Sequence, residues 1–81
     1  MDEKVLVKQE RKAIIQGLET LGYQVLLRPK SLLICGGSEI YTLRRSSFTR
    51  AWSIVPTPDT IEFKTIFHRI CWALFYVRWK T

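Results

Sequence analysis

Residues 60–79 carry apolar side chains on two opposite sides of one helix, and this limits the fold more than any other feature of the chain. Projected at about 100° per residue, Phe63, Ile66, Phe67, Ile70, Ala73, Leu74 and Val77 fall on one arc, wide enough to cover a sheet. The opposite arc holds Ile61, Trp72, Phe75 and Trp79, with Tyr76 and His68 beside them and Lys64 and Arg69 at its margins. The first arc predicts a core. The second needs another body to pack against, either a second copy, a protein partner, or the N-terminal helix of the same chain. Pro56 and Pro58 stop the preceding segment, and Asp59-Thr60-Ile61-Glu62 matches a capping box, in which Asp59 accepts from early helical N–H groups and Glu62 reaches back to the cap.

Upstream, Val7, Ile14, Leu18 and Leu21 share one face of a helix predicted over residues 3–21, and Gly22 is placed to end it in a left-handed conformation. Two β-prone runs follow at residues 23–28 and 31–35, divided by Pro29-Lys30. Gly36-Gly37-Ser38 predicts a second tight turn, residues 39–43 a third strand, and residues 51–55 a fourth after the basic connection between Arg44 and Arg50. The expected architecture is therefore α+β: an N-terminal helix, an antiparallel sheet of three or four strands and a long C-terminal helix, with both helices on one face of the sheet. This order is shared with double-stranded RNA-binding domains and small toxin ribonucleases. However, Asp59-Thr60-Ile61-Glu62 stands where the former have a lysine-rich helix start, and the latter's early-strand histidine is missing, so no family is assigned.

With 81 residues the chain suits a single domain, residues 1–81, whose folding buries only about 60% of the unfolded surface. Cys35 and Cys71 lie far apart, and Met1-Asp2-Glu3-Lys4 lacks the pattern of a secretory signal, which points to a reduced, cytoplasmic protein. The longest apolar stretch, residues 66–77, is interrupted by His68-Arg69 and is shorter than the roughly 20 residues a membrane span needs.

Thirteen Lys and Arg against seven Asp and Glu give a net charge of +6, which favours anionic partners. The basic residues form a candidate nucleic-acid surface: Lys4, Lys8 and Lys12 on one face of the first helix, Arg28 and Lys30 at the first turn, and Arg44, Arg45 and Arg50 around Phe48. In such a surface cations neutralise phosphates while an exposed aromatic ring stacks on a base. His68 and Cys71, three apart on a helix, are too few for a zinc site, and no orienting third group makes them a nucleophile and base. Gly36-Gly37-Ser38 lacks the Lys-Ser or Lys-Thr of a phosphate-binding loop.

No cofactor or metal is expected. The sequence reads as a non-enzymatic binding protein that self-associates through Ile61, His68, Trp72, Phe75, Tyr76 and Trp79, and offers its basic surface to an anionic partner such as nucleic acid. The alternative is an adaptor or small subunit of a larger protein assembly that does not bind nucleic acid. Attachment to a membrane surface through the same aromatics is a third, lesser expectation.

Overall fold

The computed structural model describes residues 2–80. Helix α1 spans Glu3–Thr20, and the Asp2 side chain caps it by accepting from the Lys4 N–H. Gly22, at φ 92°, turns the chain out of the helix as expected. Strands β1 (Gln24–Leu27), β2 (Ser31–Cys35), β3 (Tyr41–Arg45) and β4 (Trp52–Val55) follow, and helix α2 (Ile61–Lys80) closes the chain.

The strands form an antiparallel meander in the order β1-β2-β3-β4. Its register aligns Val25, Ile34 and Tyr41 in one row, and Leu32, Leu43 and Ile54 in the next. Side chains alternate between the two faces of a strand, so these residues share a face, and they pack with Ile14 and Leu18 of α1 and Ile66 and Ile70 of α2 in one core. From that face Tyr41 donates to Glu62 of α2, while Arg45 donates to Glu10 of α1, so β3 bonds to both helices. On the other face Leu26, Arg44 and Val55 are exposed, while Ser31, Leu33, Cys35 and Thr42 of the two central strands are half-buried.

Several local expectations change. The buried column of α1 is Glu10, Ile14 and Leu18, one residue every four, and Val7 is only half-buried. The helix thus turns toward the core an acid that the apolar spacing of Val7, Ile14, Leu18 and Leu21 did not include. In α2, Phe67 lies at the edge of the inner arc and is 46% exposed, so it is not core. The cap of α2 is Thr60, whose Oγ1 accepts from the Phe63 N–H at 3.0 Å, whereas Asp59 is paired with Lys64 at 3.0 Å.

Glu62 has a different task from the one its position in a capping box implied. Its carboxylate accepts from the Ser38 backbone N–H and hydroxyl, from Tyr23 Oη at 3.3 Å and from Tyr41 Oη at 3.2 Å. This draws the loop of residues 36–40 onto the start of α2, and β3 begins at Tyr41 rather than at residue 39. Gly37 is required there, because a Cβ would collide with the Glu62 carboxylate and meet the Tyr23 ring at 3.0 Å.

The Ser38 donors, aided by the two tyrosines, hold the Glu62 carboxyl below its ordinary value, and burial followed by the Glu62 charge pushes both tyrosines up. A carboxyl whose pKa is lowered by folding stabilises the fold fully above the unfolded value, and that contribution disappears as pH falls through the lowered folded value. Urea unfolding should therefore show stability falling as pH drops below the ordinary carboxylate value of about 4.5. Glu62→Gln should be less stable than the parent at pH 7 and should fall less steeply on acidification. Parallel pH profiles for the two proteins would contradict this role.

Candidate nucleic-acid interface

The meander places the turn between β1 and β2 and the turn between β3 and β4 at the same end of the sheet. Helix α1 begins at that end, since Glu3 meets Arg45 at 2.8 Å and Arg50 at 3.6 Å. Helix α2 finishes there, since Arg78 Nε meets Glu10 at 3.1 Å and Arg78 Nη2 donates to the Arg50 carbonyl at 3.0 Å. Eleven of the thirteen cations accordingly collect at this end, all except Lys64 and Arg69, together with only three of the seven carboxylates, Asp2, Glu3 and Glu10. Glu19, Glu39, Asp59 and Glu62 lie toward the other. The net charge of the chain is thus a polarity along its length.

Of the basic residues expected at the site, Lys4, Lys8 and Lys12 are exposed along α1, Arg28 and Lys30 are exposed at the first turn, and Arg44 and Arg50 flank the second. Arg44 sits between Ser31 and Ser53 in the cross-strand register, on the face away from the helices. Arg45 is the exception and a correction to the sequence reading. Its side chain is 8% exposed and engaged with Glu3 and Glu10, so it supports the site from beneath and cannot meet a phosphate. Alternation along β3 decides this, because neighbours on a strand point to opposite faces.

Both turns are braced. Arg11, which the sequence reading passed over, donates to the carbonyls of Arg28 and Pro29 at 3.1 and 3.2 Å and ties the first turn to α1. In the second turn Ser46 Oγ accepts from the N–H groups of Phe48 and Thr49, and its carbonyl accepts from Arg50 N, where the backbone is left-handed at φ 62°. The result presents Phe48 at the tip with its side chain 95% exposed. A fully solvated phenyl ring on a fastened turn, between two arginines, is suited to stacking on a planar group.

Beneath this end lies Glu10, fully buried, which accepts from Arg45 Nε at 2.9 Å, Trp52 Nε1 at 3.1 Å and Arg78 Nε at 3.1 Å. Glu3, the other acid on Arg45, is held below the ordinary carboxylate range chiefly by that guanidinium. Nothing in the local sequence singles out Glu10. Only its i, i+4 spacing to Ile14 and Leu18 could have marked it as inward-facing.

The second predicted surface, on α2, is exposed throughout. Ile61, His68, Trp72, Phe75, Tyr76 and Trp79 all face outward, Trp72 at 68% and Trp79 at 77% exposure, so α1 does not cover this stripe. Trp72 and Phe75 meet edge to face at 5.9 Å, Phe75 and Trp79 stack at 6.1 Å, and Lys80 lies 4.6 Å over the Tyr76 ring. His68, Cys71, Trp72 and Phe75 line a shallow groove of about 350 Å³. Among the described residues there is no group of three or more His, Cys, Asp or Glu able to hold a metal ion, and no helix long and apolar enough to cross a membrane. No family model, curated protein or solved structure matches this chain.

Removing one partner of a buried ionic cluster leaves the remaining charges uncompensated, at a cost of about 3–5 kcal/mol. Glu10→Gln should therefore lower the free energy of unfolding in urea by about 3 kcal/mol, whereas Phe48→Ala should change it by less than about 0.5 kcal/mol. A tolerated Glu10→Gln would remove Glu10 as the support of this end.

Proposed function

We propose that this is a non-catalytic binding protein that takes an anionic partner, nucleic acid, at its basic end and associates with other chains through the outer face of α2. The observation that carries the first half is the gathering of eleven cations, nine of them exposed, from four separate segments at the end of the fold that displays Phe48. Exposed lysines and arginines at that density attract a polyanion, and the N-terminus of α1, with its partial positive charge, opens at the same end. Phe48 adds a stacking surface that a purely electrostatic patch for small anions would not need. Cys35 and Cys71 are free, which suits a reducing compartment such as the cytoplasm.

The exposed stripe on α2 also favours a second reading, in which the protein is a small subunit of a protein assembly and its charge serves only steering and solubility. Fluorescence anisotropy with labelled single-stranded and duplex DNA and RNA, repeated across a salt series, separates the two. Contact with about four phosphates should weaken binding about a hundredfold between 50 and 200 mM salt. Reversing charge at Arg44 and Arg50 together should abolish it, and Phe48→Ala should cost about 1–3 kcal/mol if the ring stacks on a base. No binding at low salt would exclude the first reading and leave the assembly subunit.

A further inference from the structure

The outer face of α2 has a regular spacing that names its occupant. Ile61, Thr65, His68, Trp72, Phe75 and Trp79 follow one another at intervals alternating between four and three residues, the repeat of a seam between two packed helices. All six are exposed. Thr65 uses its hydroxyl to bond the Ile61 carbonyl at 2.9 Å, which satisfies that group within its own helix.

We propose that α2 pairs with α2 of a second copy in antiparallel orientation, about a two-fold axis level with Ile70. This rests on the reading of α2 as an association surface and adds its partner, direction and register. In that register Ile61 faces Trp79 of the second copy, Thr65 faces Phe75, and His68 faces Trp72. Each large ring meets a smaller side chain, and the seam is complementary to itself, as a two-fold interface must be. A parallel pair would set Trp72 on Trp72 and Thr65 on Thr65, bulk against bulk and gap against gap.

Charge favours the same direction. A parallel pair would set two basic ends, each with eleven cations and three carboxylates, side by side, whereas the antiparallel pair holds them at opposite ends of the dimer. It also brings Asp59 of one copy level with Lys80 of the other and opposes the two helix dipoles. Of the like charges brought level, Lys64 and Arg78 of the second copy are each paired within their own chain, to Asp59 and Glu10. Arg69, one position from the axis on the other flank, instead faces Arg69 of the second copy, with its stem lying against Gly17 of α1. The area suffices: at 57–77% exposure Trp72, Phe75, Tyr76 and Trp79 present roughly 500 Å², and the rest of the seam with its flanks raises this toward the roughly 800 Å² per partner of a stable interface.

Cys71 reports the direction. It is exposed on one flank of the seam, one position from the axis, so antiparallel pairing sets the two Cys71 side chains on the same flank, whereas parallel pairing sets them on opposite flanks. The test is sedimentation equilibrium of the Cys35→Ser protein, followed by treatment with a short bismaleimide. The account expects a species of twice the 9.5 kDa chain mass that cross-links through Cys71. Trp72→Asp, or Trp79→Asp should the first fail to fold by circular dichroism, should give a folded monomer that no longer cross-links. A monomer at the outset overturns both the register and self-association through α2, and leaves the face to another protein. A dimer that Trp72→Asp breaks but that does not cross-link overturns the antiparallel register alone, and a dimer untouched by either substitution places the interface elsewhere.

Discussion

A carboxylate shut away from water, that of Glu10, is the interaction on which the basic end depends. Burying a lone charge costs several kcal/mol, so its position is tenable only because Arg45, Trp52 and Arg78 converge on it from β3, β4 and α2. Each donor anchors more than itself. Arg45 holds Glu3 and so the first turn of α1, and Arg78 reaches on to the Arg50 carbonyl and fastens the turn that displays Phe48. One acid thereby joins both helices to the sheet at the end where cations crowd, and partly offsets their mutual repulsion. Glu62 does the corresponding work at the other end with neutral donors from Ser38, Tyr23 and Tyr41.

How much of this was legible follows from how local each signal is. Period and punctuation are local, so the two helices and an antiparallel sheet of three or four strands could be read from apolar spacing, Pro29, Gly22 and Gly36-Gly37, whereas the strand order could not. The partners of Glu10 and Glu62 are not local. Arg78 is 68 residues from Glu10, and Tyr23 is 39 from Glu62. A glutamate three residues after Asp59 reads as part of a cap until the fold brings Ser38 to it. The same distance effect hid Arg45, whose neighbour Arg44 is exposed: a basic pair on a strand is split between faces, and the sequence does not say which faces the core. The outward stripe of α2 was legible because helical periodicity is local, but its exposure depended on where α1 packs.

The two candidate surfaces are physically separate and differently built. The basic end is assembled from four segments and relies on buried ion pairs to hold it, so its charge display is a property of the whole fold. The aromatic stripe belongs to one helix and is set by spacing alone. On the proposed pairing, joining the helices in opposite directions would leave both charged ends open and facing apart.

The most direct test of this polarity is an amide-resolved nuclear magnetic resonance titration of the protein with a short nucleic-acid duplex and a short single strand at low salt. The account predicts shifts confined to the N-terminal half of α1 and to the turns around residues 28–30 and 46–51, leaving residues 36–40 and the start of α2 unmoved. Shifts centred on residues 36–40, or none for either oligonucleotide, would contradict it.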